Sequence, residues 1–108
     1  MSLSTHVLDA LAGRPAAGVA VRLESWTQDG WAPSAEGVTD ADGRIAELGS
    51  PGAGRHRLTF DTGRYYAALG TATFYPEVSV VFEVTEPGRH HHVPLLLSPF
   101  SYTTYRGS

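Results

Sequence analysis

Hydrophobic and polar residues alternate along several short stretches of this chain, with the two-residue period of strands that bury one face. The clearest stretch is residues 77–85, and a second is residues 19–24. The apolar positions are Val78, Val80, Phe82 and Val84 in the first, and Val19, Val21 and Leu23 in the second. About eight such strands, with one short helix at residues 63–69, predict an all-β fold, an antiparallel β-sandwich.

Proline, glycine and aspartate mark the connections between these strands. Residues 40–43 carry the aspartate and glycine that tight turns need, so Arg44 is predicted to begin the strand that follows. A Pro-Gly pair predicts a hairpin between residues 77–85 and 89–97. A further proline predicts a bend before a last strand at residues 101–106.

Two predicted strands, residues 2–8 and 90–97, each place histidine on a face that is neither apolar nor fully polar. Because alternate side chains of a strand share a face, each strand has one mixed set of residues. These sets are Ser4, His6 and Leu8 in the first strand, and His90, His92, Pro94 and Leu96 in the second. A buried imidazole must be hydrogen-bonded or lose its charge, so this pattern suits neither a core nor an ordinary surface. Both faces are therefore candidates for a functional site.

Composition and charge argue against several classes of function. The chain has 108 residues, enough for a single domain over residues 1–108 with a two-layer core. Eight Lys and Arg against eleven Asp and Glu give a net charge of −3 at pH 7 and no basic stripe, which disfavours nucleic-acid binding. Cysteine is absent, which fits a reducing compartment. No apolar run approaches the ~20 residues that span a membrane, and no signal-peptide pattern is present, so we expect a cytoplasmic protein that contacts no membrane.

The two ends of the chain carry motifs of a known family. His92-Val-Pro-Leu-Leu-Leu-Ser-Pro99, followed by Tyr105-Arg-Gly-Ser108, resembles the closing motif of the 5-hydroxyisourate hydrolases, the transthyretin-like enzymes of urate catabolism. Ser4-Thr-His-Val-Leu-Asp9 is similar to their opening strand. Residues 42–45 and 66–70 also fit, so the resemblance spans nearly the whole chain. It implies a transthyretin-like β-sandwich in which Ser108 is the natural end.

The resemblance implies a reaction, an assembly and a set of site residues. The reaction is hydrolytic opening of the cyclic amide of 5-hydroxyisourate between N1 and C6, giving 2-oxo-4-hydroxy-4-carboxy-5-ureidoimidazoline, with no cofactor and no metal. The assembly is a homotetramer, a dimer of dimers, with the sites at the dimer–dimer interface. The implied catalytic residues are His6, Arg44 and His92, and the implied substrate-binding residues are Leu96, Tyr105, Arg106, Gly107 and Ser108.

These residue types suit the implied hydrolysis. A neutral imidazole, with an ordinary pKa of about 6.5, can take a proton from the attacking water at neutral pH. A guanidinium offers a fixed fork of donors to the negative charge that develops on the carbonyl oxygen. Either His92 or His6 is then the base while the other orients water or substrate, and Arg44 stabilises the anion. His90 is expected to be a solvated residue at the start of its strand.

Two other functions would use the same features. The hormone carrier transthyretin shares the fold, but it has lysine, glutamate, threonine and threonine where this chain has His6, Arg44, His92 and Tyr105. A zinc hydrolase would use His90 and His92 on one strand face with His6 as a third ligand, but no Asp, Glu or Cys accompanies them at motif spacing. Both alternatives are less favoured than a metal-free hydrolase.

Overall fold

The computed structural model describes residues 2–108, which form two β-sheets and one helix. In chain order the elements are β1 (Leu3–Asp9), β2 (Arg14–Pro15), β3 (Ala20–Thr27), β4 (Gly30–Val38), β5 (Arg44–Ile45), β6 (Gly54–Phe60), α1 (Thr62–Ala68), β7 (Val78–Val84), β8 (His91–Ser98) and β9 (Ser101–Thr104). The first sheet has the order β2-β1-β8-β9, with β5 beside β1. The second has the order β4-β3-β6-β7. The predicted β-sandwich with one short helix is confirmed.

Alternate residues of each strand form a hydrophobic core between the two sheets. The side chains that point into this core are Leu3, Thr5, Val7 and Asp9 in β1, and Val93, Leu95 and Leu97 in β8. Pro94, on the other face of β8, is also buried. The rings of Tyr66 on α1 and Phe60 on β6 are fully buried in the same core. Burial of a large apolar side chain stabilises a fold by roughly 1.5–3 kcal/mol. The predicted facing of side chains is therefore confirmed for both histidine-bearing strands.

The predicted hairpin between residues 77–85 and 89–97 is wrong. β7 pairs with β6 in the second sheet, whereas β8 lies between β1 and β9 in the first. The connection therefore crosses from one sheet to the other, a gap of about 10 Å. β8 also runs parallel to β1, whereas the other strand pairs within residues 2–108 are antiparallel. Alternation of apolar residues indicates which face of a strand is buried, but not which strand pairs with it.

The helix is short and begins one residue earlier than the sequence predicts. Its N-cap is Asp61, whose carboxylate accepts a hydrogen bond from the backbone N–H of Arg64 at 3.4 Å. The hydroxyl of Thr62 donates to the carbonyl of Tyr75 at 3.1 Å and is buried. Within residues 2–108 no helix is long and apolar enough to cross a membrane.

A buried carboxylate fixes the end of β1. Asp9 is 2% exposed and accepts hydrogen bonds from the backbone N–H groups of Leu11 at 3.0 Å and Ala12 at 2.9 Å. The hydroxyl of Tyr65 donates to the other carboxylate oxygen at 2.7 Å. Burial of the phenol and this contact with Asp9 raise the pKa of Tyr65 well above its ordinary value, so Tyr65 remains a donor. These contacts tie α1 to the end of β1.

Replacing Asp9 with alanine is expected to lower the free energy of unfolding by about 3–4 kcal/mol. Hydrogen bonds to a charged group contribute more than neutral ones, and the buried donors would lose their acceptor. Urea unfolding followed by circular dichroism measures the change. Asp29→Ala, in the exposed turn between β3 and β4, is the control and should stay within about 0.5 kcal/mol of the parent. An Asp9→Ala protein as stable as this control would contradict the role of the buried contacts.

Candidate active site

The outward faces of β1 and β8 meet to form one surface, called here the histidine face. The parallel register places Ser4 opposite His92 and His6 opposite Pro94. Because paired residues of neighbouring strands point to the same side, both predicted histidines lie on this surface. Leu96 follows on the same side of β8 and is 36% exposed. The structure therefore brings His6, His92 and Leu96 together as the sequence predicts.

A tight turn positions Arg44 beside His6. The side chain of Asp40 accepts hydrogen bonds from the backbone N–H groups of Asp42 and Arg44, both at 2.9 Å. Gly43 has a φ of +73°, and a Cβ at this position would overlap the carbonyl oxygen of Val7. The turn can therefore dock closely on β1, where β5 pairs Arg44 directly with His6. The predicted turn at residues 40–43 is confirmed.

The same turn orients the ring of His6. Its Nε2 lies 2.9 Å from the carbonyl oxygen of Asp42. A carbonyl oxygen only accepts, so Nε2 carries the proton and donates. In neutral His6 the free lone pair is therefore on Nδ1.

The ring of His92 is held on two edges. Its Nδ1 lies 2.7 Å from the hydroxyl oxygen of Ser4. On the opposite edge, Gly107 packs against Cδ2 so closely that a Cβ at residue 107 would overlap the ring. The backbone N–H of Gly107 also donates to the carbonyl of His92 at 2.8 Å. Nε2 is therefore the ring nitrogen left open for a substrate or a water.

Burial is the main cause that lowers the pKa of His92 below the ordinary value of an imidazole. A hydrogen bond with the backbone of Ser4 opposes this shift, whereas the charges of His6, His90 and Arg44 add to it. His92 is therefore neutral at pH 7. A neutral imidazole with one open nitrogen is the form that a general base requires.

A depression of about 220 Å³ opens between Arg44 and His92. Its other lining residues are Ser4, Thr5, Ile45 and Ala46. Within residues 2–108 no carboxylate lies within ion-pair distance of Arg44. The guanidinium is therefore available to a carbonyl oxygen or an anion that enters the depression.

The residues of the last motif lie on two sides of β8. Gly107 joins the histidine face, and Ser108 beside it is exposed. Tyr105 and Arg106 instead line a cavity of about 260 Å³ beside the edge strands β7 and β9. The predicted last strand, residues 101–106, ends at Thr104, so the alternation of side chains does not extend to Tyr105. The structure therefore does not bring Tyr105 and Arg106 together with His92.

A chain of polar contacts that the sequence did not reveal leads into His92. His90 is exposed, as expected, and its Nδ1 also lies 3.0 Å from the hydroxyl oxygen of Ser2 and its Nε2 2.8 Å from that of Ser4. The alternation in β1 and β8 was the available signal, but it locates Ser4 only once the parallel register is known. In residues 2–108 no group of three or more His, Cys, Asp or Glu is placed to hold a metal ion.

The chain is similar over its full length to proteins of one family. A family model described as Transthyretin: HIUase/Transthyretin family matches residues 3–107. A 5-hydroxyisourate hydrolase of Mus musculus is 47% identical over 112 residues, which cover 98% of this chain and 94% of the mouse protein. The structure of Klebsiella pneumoniae 5-hydroxyisourate hydrolase has a TM-score of 0.86 and 38% identity, and covers 100% of both chains. Sea bream transthyretin in complex with thyroxine has a TM-score of 0.93 and 42% identity, and covers 99% of this chain and 95% of that chain. The fold is thus shared by hydrolases and by a thyroxine-binding protein, so the side chains must distinguish the two functions.

Proposed function

The chain belongs to the HIUase/Transthyretin family, and we propose that it hydrolyses 5-hydroxyisourate on the histidine face. The observation that carries this proposal is the presence of His6, Arg44 and His92 on one side of the first sheet. Two imidazoles and a guanidinium supply a base and an anion-stabilising group, which hydrolysis needs and transport does not. The mouse and Klebsiella relatives are named for the same reaction. The chain is thus a hydrolase rather than a carrier.

The reaction adds one water across a cyclic amide. His92 takes a proton from water at Nε2 while the water oxygen forms a bond to C6 of the substrate. Negative charge grows on the C6 oxygen, and Arg44 donates hydrogen bonds to it. The C6–N1 bond then breaks, and N1 receives the proton that His92 holds. The product, 2-oxo-4-hydroxy-4-carboxy-5-ureidoimidazoline, contains all atoms of the substrate and the water.

His92 suits the role of base better than His6. Its Nε2 is open, and its lowered pKa keeps the ring neutral at pH 7. The free nitrogen of His6 is Nδ1, because Nε2 donates to the carbonyl of Asp42, and His6 does not line the depression between Arg44 and His92. His6 is therefore assigned to orienting the substrate or the water. Gly107, Ser108 and Leu96 complete the proposed substrate surface, whereas Tyr105 and Arg106 lie on the other side of β8.

The specificity constant kcat/KM is expected to fall at acidic pH, because protonated His92 cannot accept a proton from water. Burial lowers the pKa of His92, so the fall should lie at lower pH than for an ordinary imidazole. Initial rates of 5-hydroxyisourate consumption between about pH 5 and pH 8, corrected for spontaneous decay, measure the profile. A flat profile over this range would contradict a histidine base.

A homotetramer, arranged as a dimer of dimers, is the expected assembly in solution. β7 and β9 lie at the edges of the two sheets of residues 2–108, where a second copy can pair with the backbone. A second dimer would enclose the histidine face and exclude water, which strengthens its electrostatic interactions. Light scattering should give four times the mass of the 11.6 kDa chain. A monomer at micromolar concentration would contradict this assembly.

The cellular location and the domain extent stay predictions. Absence of cysteine suits the reducing cytoplasm. Leu3 and Leu97, from opposite ends of the sequence, share one core, which supports a single domain over residues 1–108.

A further inference from the structure

Four side chains form a line of hydrogen bonds that ends at the proposed base. Ser2 contacts His90 at 3.0 Å, His90 contacts Ser4 at 2.8 Å, and Ser4 contacts His92 at 2.7 Å. The parallel register sets this order, because it places Ser4 directly opposite His92. The backbone N–H of His91 also donates to the carbonyl of Ser2 at 3.1 Å and holds the two strands together at this end.

Ser4 stands between two imidazole nitrogens but has one proton to donate. If it donates to Nδ1 of His92, the proton of neutral His92 must be on Nε2. That tautomer cannot accept a proton at its open nitrogen. If Ser4 donates instead to Nε2 of His90, then Nδ1 of His92 donates to Ser4 and Nε2 of His92 is free. Only the second arrangement makes His92 a base.

We propose that Ser4 and His90 are positioning residues for the hydrolysis, which fix His92 in the tautomer that leaves Nε2 open. In this arrangement His90 accepts from Ser4 at Nε2 and donates from Nδ1 to the hydroxyl oxygen of Ser2. The inference rests on the proposed function, because it assigns a role relative to the base of that reaction.

The contact with Ser4 also stabilises His92 once the ring is protonated. After Nε2 takes the proton from water, both ring nitrogens of His92 are donors. The bond from Nδ1 to Ser4 is then charge-assisted and stronger than the neutral one. Ser4 therefore stabilises the protonated base at the moment when the substrate oxygen becomes negative.

Substitutions at Ser4 separate the hydroxyl group from the space that it fills. Ser4→Ala should lower kcat by about 10–100-fold, a fraction of the 10²–10⁴-fold that a general base contributes. KM should change far less. Ser4→Thr keeps the hydroxyl and should restore kcat to within about threefold of the parent. His90→Ala should have a smaller effect, because water can replace an exposed acceptor, and His90→Gln should restore the rate because its amide oxygen accepts from Ser4.

The tautomer itself is measurable by nitrogen NMR of the histidine rings. In the parent protein His92 should carry its proton on Nδ1, and in Ser4→Ala the Nε2-protonated form should increase. A parent protein with the proton of neutral His92 on Nε2 would overturn the inference, whether or not the variants fold. The inference would also be overturned if Ser4→Ala folded and kept the kcat of the parent while His92→Asn was inactive. This result would leave the proposed function intact. A His92→Asn protein with normal turnover would instead overturn the proposed base, and with it the role of Ser4.

Discussion

Replacing His92 with asparagine is expected to lower kcat by about 10²–10⁴-fold, the usual contribution of a general base. Asparagine occupies similar space and can still form a hydrogen bond with Ser4, but it has no ring nitrogen to take a proton from water. KM should change far less, because the loss falls on the transition state. Steady-state rates of 5-hydroxyisourate consumption at neutral pH measure both parameters.

His91→Asn is the matched control. His91 is the next residue of β8, but it points to the cavity on the other side, and its Nδ1 contacts the carbonyl of Arg89 at 2.9 Å. Its substitution should leave kcat within about twofold of the parent, and both variants should unfold within about 1 kcal/mol of it. Near-normal turnover in His92→Asn would assign the role of general base to His6 instead. If His6→Asn also left turnover unchanged, the histidine mechanism would have to be abandoned.

Deleting residues 105–108 is expected to remove measurable turnover while preserving both sheets. β9 ends at Thr104, so the paired strands remain complete. The deletion removes the hydrogen bond from Gly107 to the carbonyl of His92 and uncovers the Cδ2 edge of the ring. The ring would then be free to leave the orientation that Ser4 sets. Circular dichroism and turnover, measured on the same preparation, test the prediction.

A shorter deletion shows which part of this segment acts. Removing residues 107–108 takes away the contact with His92 but leaves Tyr105 and Arg106 in their cavity. It should reduce turnover nearly as much as the longer deletion. Full turnover after the shorter deletion would assign the role to Tyr105 and Arg106, and full turnover after both would make the segment structural.

The histidine face was predictable because it depends on regular local geometry. β1 and β8 keep an extended backbone over their whole length, so alternation gives the correct side for His6 and His92. The turn that carries Arg44 was predictable for a similar reason, because the side chain of Asp40 accepts hydrogen bonds from backbone N–H groups two and four residues later in the chain. In both cases the deciding interactions are close in sequence.

Contacts between distant segments were not predictable from the same patterns. Alternation in residues 77–85 and 89–97 fits a hairpin as well as two separate sheets, and only packing selects the second. His90 meets Ser4 because β1 and β8 pair in parallel, which no local pattern specifies. Tyr105 lies away from the histidine face because the chain leaves the sheet after Thr104.

Turnover of freshly generated 5-hydroxyisourate, followed by absorbance, tests the hydrolase function most directly. With protein far below the substrate concentration, each chain should consume many substrate molecules, and a chelator should not change the rate. His92→Asn at the same concentration should approach the spontaneous rate of decay. Decay at the spontaneous rate with the parent protein, or consumption of no more than one substrate per chain, would contradict a hydrolase and favour a binding protein.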